Sequence, residues 1–137
     1  MEILVTPVSG YGMDFENPKR TKRPWKDKFH CAFKGIKAGM RGQSSFFVHF
    51  FMASLVIASA LVIRCDLLEW ALLIGCIALV MVVELINSAM ENLYAMLPEE
   101  MREGNYVVLD IAAGAVLLAS IFAVIIGSIV FIPKFIP

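Results

Sequence analysis

Two carboxylates and a carboxamide stand close together where a long apolar stretch ends. Glu84, Asn87 and Glu91 follow an apolar run that starts at Leu67. Their spacing of i, i+3 and i+7 places them on one face of an α-helix. At a rise of about 1.5 Å per residue, the two carboxylates lie roughly 10 Å apart along the axis. Charged side chains at membrane depth are functional candidates, because insertion of each costs roughly 2.5–3.5 kcal/mol.

The separation of the two carboxylates favours a separate task for each. It is too long for them to share one proton or one metal ion. Glu84, the deeper of the two, could act where a lipid hydroxyl lies, whereas Glu91 could act nearer water, where a soluble phosphate donor lies. The alternative is a polar seam that holds helices together. Spacing alone leaves both interpretations open.

The composition is that of an integral membrane protein with a single domain. The chain has 137 residues, of which 59% are hydrophobic and 18% are charged, far from the balance of a soluble globular domain. Nine of the twelve Lys and Arg residues lie between Lys19 and Arg41. A basic segment beside a membrane helix favours contact with anionic lipid head groups over nucleic-acid binding. It also predicts a cytoplasmic N-terminus.

Hydrophobic patterning predicts an all-α membrane protein with a surface helix followed by three spanning helices. We expect residues 1–24 to form a flexible basic tail before one domain over residues 25–137. An amphipathic helix at the membrane interface is predicted for residues 25–41. The spans are predicted at residues 46–63, 67–95 and 111–132. With the N-terminus inside, Glu84 and Glu91 face the cytoplasmic edge, where ATP is available.

Further polar residues are expected to converge on the same edge. Lys34, Lys37 and Arg41 lie opposite an aromatic stripe, so they either face lipid head groups or reach a nucleotide phosphate. Gln43 and Asp110 complete the set, although Asp110 could instead cap the third helix. Common soluble nucleotide-binding and hydrolase motifs are missing from the sequence: GxxxxGKS/T, GxGxxG, GxSxG and HExxH. Carboxylates at an interface can hold Mg²⁺ together with substrate phosphates.

Small residues recur along the third predicted span. Ala115, Ala119, Ala123 and Gly127 stand at every fourth position, which lets helix backbones approach closely. A single chain with three spans can hardly bury both this line of small residues and the face that carries Glu84. The pattern therefore predicts a homo-oligomer.

Five segments resemble the prokaryotic diacylglycerol kinase and undecaprenol kinase family of small, three-span membrane kinases. Together they cover about residues 25–125, and the Glu84 segment followed by the Asp110 segment is the most specific part. The segments are Phe29-x-x-Ala32-x-x-Gly35, Ser45-Phe46-x-x-His49, Leu68-Glu69-Trp70-Ala71-Leu72-Leu73, Glu84-x-x-Asn87-Ser88-Ala89-x-Glu91 and Asp110-Ile111-Ala112-Ala113-Gly114-Ala115-Val116-Leu117-Leu118.

The resemblance implies an ATP- and Mg²⁺-dependent lipid kinase of the bacterial inner membrane, assembled as a homotrimer with sites shared between subunits. It implies that Glu84 is the catalytic base, that Glu91 binds metal and that Asn87 is a polar residue of the site. Asp110 matches the Asp of a Lys-Asp pair in the family. The lipid would be diacylglycerol or undecaprenol.

Three positions depart from the family pattern. Gln43 stands where a second metal-binding Glu is usual, Leu109 where a Lys is usual, and Ala95 where an Asp is usual. Each change removes charge from the implied Mg·ATP site. Two interpretations follow: a site rebuilt with other cations, or a catalytically weak or inactive protein of the same fold that binds lipid or a partner. The cations available for rebuilding are Lys34, Lys37, Arg41 and Arg102.

Overall fold

The structure, a computed structural model, describes residues 24–41, 43–104 and 106–136. All regular structure within these ranges is helical. The tail predicted for residues 1–24 lies outside the described residues, apart from Pro24. The helices are α1 (Trp25–Met40), α2 (Ser44–Ile63), α3 (Leu67–Ala95), α4 (Glu99–Arg102) and α5 (Val107–Phe131), and a 3₁₀ turn, Ile132–Lys134, follows α5.

Three helices of the described chain are long and apolar enough to cross a membrane: α2, α3, and α5 with its 3₁₀ extension. The prediction of an all-α chain with three spans is therefore confirmed. The third helix begins at Val107, four residues before its predicted start, and Tyr106 occupies the N-cap position. Asp110 thus lies within the first turn of α5, and the alternative that it caps this helix is wrong.

Helix α3 is the central element of the packing. It packs along α5 for much of its length, and both α1 and α2 contact it. Ala60, Leu73 and Val130, one from each spanning helix, form the buried core. These residues lie towards the 64–66 turn, so the apolar core is at the opposite end of the bundle from Glu84 and Glu91.

A single chain buries the Glu84 face but only part of the line of small residues on α5. Glu84 is only 2% exposed and Ala119 only 8% exposed. Ala115 is exposed, and Ala123 and Gly127 are half-buried. The homo-oligomer therefore stays a prediction.

Polar contacts close the end of the bundle that holds the 64–66 turn. Arg64 ends α2 in the left-handed region at φ 57°, and the Cys65 N–H donates to the carbonyl of Ala60. Asp66 and Glu69 then form a capping box that starts α3. Lys134 Nζ donates to Glu69 at 2.7 Å, so one ion pair joins the end of α5 to the start of α3.

Candidate functional site

Glu91 is the centre of the outer part of the site and is bound by two carboxamides. Gln43 Nε2 donates to Glu91 Oε2 at 2.6 Å. Asn87 lies one helical turn before Glu91, and its Nδ2 donates to Glu91 Oε1 at 2.9 Å. A carboxylate can only accept, so each amide must turn its nitrogen towards Glu91 and its oxygen away. We call these three residues the outer layer.

Two features of the chain bring Gln43 to Glu91. Gln43 precedes α2 with an extended backbone, and its side chain makes no capping hydrogen bond, so it is free to reach across to α3. Helix α1 also approaches α3 closely at Gly39, where an added Cβ would lie 2.5 Å from Leu85 Cδ1. This approach places the junction between α1 and α2 beside the C-terminal half of α3.

Glu84 is the centre of a deeper group, which we call the inner layer. The Ser45 hydroxyl donates a short hydrogen bond to Glu84 Oε1. His49 Nε2 lies 3.8 Å from the other oxygen, Oε2. Ser45 and His49 are one turn apart on α2, so this helix presents one group to each carboxylate oxygen. Because a buried carboxylate needs polar partners, these contacts explain how α2 accommodates Glu84.

Ser45 and His49 are site residues that the sequence interpretation missed as such. Both residues belong to one segment of the family resemblance, but the sequence analysis assigns neither of them a role in the site. The available signal was the pair of polar residues at i and i+4 near the start of an apolar span. Polar residues in that position indicate a partner on a neighbouring helix.

Two buried polar atoms in or next to the outer layer have no hydrogen-bond partner among the described residues. Asn87 is 7% exposed and Ser88 is fully buried. Within the described part of the chain, Asn87 Oδ1 and Ser88 Oγ are buried and have no hydrogen-bond partner. Buried polar atoms are almost always satisfied in native proteins. Asn87 Oδ1, next to Glu91, is therefore placed to bind a ligand donor or a cation.

Four other predicted site residues are not brought to the two glutamates. Lys34 and Lys37 on α1, Arg41 directly after it and Asp110 on α5 are all exposed. None of their side chains forms an ion pair with Glu84 or Glu91 in the structure. Arg102, in α4, forms none with them either. The contacts therefore assemble the glutamates with carboxamide and hydroxyl groups rather than with cations.

The outer layer offers a magnesium ion only one charged group. Mg²⁺ is usually bound through one or two carboxylates together with waters and substrate phosphates. Glu91 supplies one carboxylate. The amides of Gln43 and Asn87 turn their nitrogens to it, so a cation beside Glu91 would bind the amide oxygens only after each amide rotates. No group of three or more His, Cys, Asp or Glu side chains that could hold a metal is found among the described residues. Most of the opposing charge at such a site would have to come from a bound polyphosphate.

Residues 30–131 of the chain match the sequence profile of the prokaryotic diacylglycerol kinase family. This range contains every residue of both layers and all three spanning helices. The chain belongs to the prokaryotic diacylglycerol kinase family.

Two curated relatives are similar to the chain over most of its length. A diacylglycerol kinase of Synechocystis sp. is 33% identical over 137 residues, which cover 95% of this chain and 77% of that protein. An undecaprenol kinase of Bacillus subtilis is 25% identical over 122 residues, which cover 89% of this chain and 99% of that protein. No solved structure matches the chain. Both layers thus lie within the part of the chain that matches a family of membrane lipid kinases.

Proposed function

We propose that the chain is a lipid kinase that uses ATP and Mg²⁺ to phosphorylate the hydroxyl of diacylglycerol or undecaprenol. The observation that carries the proposal is the separation of the two glutamates into two layers. Glu84 is buried among hydroxyl and imidazole groups, and Glu91 lies two turns nearer the end of α3 among carboxamides. A lipid hydroxyl and a polyphosphate can therefore be held at different depths of one site.

Each layer has one task in this proposal. Glu84 accepts the proton of the lipid hydroxyl, which makes the oxygen a better nucleophile. Glu91, Gln43 and Asn87 hold Mg²⁺, which neutralises charge on the polyphosphate of ATP. Lys34, Lys37 and Arg41 bind phosphate from the membrane surface, and Asp110 contributes to nucleotide binding. Positioning and charge neutralisation supply most of the catalysis in phosphoryl transfer, so a small polar site is sufficient.

The activity is tested by ADP release from purified protein in mixed micelles. Three preparations are compared, with diacylglycerol, with undecaprenol or with neither lipid. We expect ADP release that needs both Mg²⁺ and one of the two lipids. ADP release at the same low rate in all three preparations would contradict the proposal.

A non-catalytic lipid-binding or partner-binding protein is the second candidate. It is favoured by Gln43, whose neutral amide binds Glu91 directly at 2.6 Å where the family usually has a second acid. Ala95 and Leu109 remove two further charged groups of the family pattern. The two candidates differ in whether ADP release depends on lipid, so the same assay distinguishes them.

Gln43→Glu is expected to lower the Mg²⁺ concentration that gives half-maximal activity. The change places a second carboxylate against Glu91, and two carboxylates in contact repel each other unless a proton or a cation lies between them. Mg²⁺ should therefore raise the melting temperature of Gln43→Glu more than that of wild type, measured in detergent with and without Mg²⁺. Gln43→Ala, which removes the amide without adding charge, is the control. Equal Mg²⁺ responses in wild type and Gln43→Glu would place Gln43 away from the metal.

The proposed arrangement in the membrane has the N-terminus in the cytoplasm and α1 in the membrane interface. Trp25, Phe29 and Phe33 are exposed on α1, and their apolar side chains would enter the bilayer beside the head groups. The basic residues before and within α1 support this orientation. The 64–66 turn is then outside, and Glu100 in α4 is inside, in the bacterial inner membrane.

Thiol labelling of intact cells tests this orientation. A membrane-impermeant maleimide should label Cys65 in a protein whose other two cysteines are replaced by Ser. It should not label Glu100→Cys in a protein without native cysteines. Partial burial raises the pKa of the Cys65 thiol, with a further contribution from Glu69, so labelling is best done at alkaline pH. The reverse labelling pattern would mean that the chain is inverted in the membrane.

A homotrimer with sites shared between subunits is proposed from the family resemblance. The extensive exposed apolar surface of α2 and α5 leaves room for contacts between copies. Light scattering in several mild detergents should give a protein mass of three chains. A monomeric mass in all of them would contradict the trimer.

A further inference from the structure

An apolar cavity ends beside the inner layer. It has a volume of about 580 Å³ and lies between α2, α3 and α5. Its boundary towards Glu84 is formed by His49 on α2, Met81 on α3 and Ser120 on α5. Glu84 follows Met81 by three residues, so it lies about one turn beyond that boundary. His49 therefore stands between an apolar cavity and a buried carboxylate.

The contacts of Glu84 are not equivalent at its two oxygens. Ser45 occupies Oε1 as a hydrogen-bond donor. Oε2 faces the imidazole at 3.8 Å, which is longer than a hydrogen bond but close enough for a small shift to form one. The His49 side chain is 20% exposed, whereas that of Glu84 is 3% exposed. The imidazole is thus the more accessible of the two proton-binding groups.

We propose that His49 receives the proton that Glu84 takes from the lipid hydroxyl, with Ser45 holding the carboxylate so that Oε2 faces the imidazole. This inference rests on the proposed function and adds a residue to its site. Imidazole suits the task because its ring nitrogens can accept a proton and release it again. His49 acts through Glu84 and is therefore a positioning and relay residue.

The atoms and charges of the step balance within the site and its two substrates. The O–H bond of the lipid breaks as its oxygen forms a bond to the γ-phosphorus of ATP. The bond from the γ-phosphorus to the β,γ-bridging oxygen breaks, and ADP leaves with that electron pair. The proton passes to Glu84 Oε2 and then to His49 Nε2, which restores the carboxylate beside an imidazolium. When the products leave, the imidazolium loses its proton to water.

The pairing of His49 with Glu84 is tested first by a measurement that needs no activity. The chain has only two histidines, His30 and His49, so labelling of imidazole nitrogens with ¹⁵N gives two sets of signals. Glu84→Gln should move the signals of His49 and leave those of His30 in place. Glu69→Gln, a matched change at the far end of α3, should move neither. Unchanged His49 signals in Glu84→Gln would overturn the pairing.

Kinetics then test proton transfer. His49→Gln places a polar amide near Oε2 but cannot accept a proton, so kcat should fall at least about tenfold while the KM for Mg·ATP is unchanged. His49→Ala should regain kcat when imidazole is added, whereas Glu84→Gln should not. Met52→Ala alters the lining of the same cavity and should keep wild-type kcat.

Two outcomes of the kinetic test would overturn the relay for different reasons. Wild-type kcat in His49→Gln would mean that His49 only packs against Glu84. A wild-type protein that phosphorylates neither lipid would refute the proposed function, and the relay with it. In that case the nitrogen signals still decide whether the two side chains are paired.

Discussion

Replacing Glu84 by Gln is expected to lower kcat by about 10²–10⁴-fold, which is the usual effect of removing a general base. The KM for Mg·ATP should change little, because the contacts of Glu84 are to Ser45 and His49 rather than to the outer layer. The substituted amide has nearly the same shape, and its oxygen can still accept the Ser45 hydroxyl. Removal of a charge at membrane depth should not destabilise the fold.

Steady-state kinetics at saturating lipid measure this effect, with melting temperature in detergent as the check on folding. Glu69→Gln is the matched control, because it removes a glutamate from the same helix at the Lys134 ion pair. It should leave kcat near the wild-type value. Near wild-type kcat in Glu84→Gln would show that this carboxylate is structural.

Replacing Glu91 by Gln is expected to raise both the Mg²⁺ requirement and the KM for ATP by at least about tenfold. Glu91 supplies the charged group of the outer layer, since Gln43 and Asn87 are neutral. Two unit charges 4 Å apart near a protein surface interact by roughly 4 kcal/mol, and a loss of only about 1.4 kcal/mol gives a factor of ten. The effect on kcat at saturating Mg·ATP should be smaller than that of Glu84→Gln.

Activity measured over a range of Mg²⁺ and ATP concentrations separates the two glutamates. Glu100→Gln provides the control, because Glu100 is exposed in α4, outside the helix that carries Glu91. If Glu91→Gln keeps the wild-type Mg²⁺ and ATP dependence, the metal is held elsewhere. If Glu91→Gln and Glu84→Gln changed kcat, the Mg²⁺ requirement and the KM for ATP in the same way, the division of the site into two layers would be contradicted.

The spacing of polar residues along α3 was sufficient to predict their geometry within that helix. Asn87 and Glu91 share a face, as i and i+4 positions must, and the structure joins them by a hydrogen bond. The partners on α2 could not be predicted in the same way. Whether His49 meets Glu84 depends on how α2 is rotated and on how far it slides along α3, which packing across the whole interface decides.

The start of α5 shows a different limit of sequence interpretation. Asp110 was a reasonable candidate for the boundary, because Asp is common at N-caps. Val107, Val108 and Leu109 nevertheless continue the apolar pattern and extend the helix towards Tyr106. The sequence also left the role of Lys34, Lys37 and Arg41 open. The structure shows these residues exposed, and their proposed partners are phosphates rather than protein groups.

Transfer of the γ-phosphoryl group of radiolabelled ATP into the lipid extract is the most direct test of the central claim. Purified wild-type protein is incubated with Mg²⁺ in mixed micelles that contain both diacylglycerol and undecaprenol, and Glu84→Gln is run beside it. The account predicts that wild type labels one of the two lipids and that the label is lost when Mg²⁺ is chelated. An unlabelled lipid extract from folded wild-type protein would contradict it, as would equal labelling by Glu84→Gln.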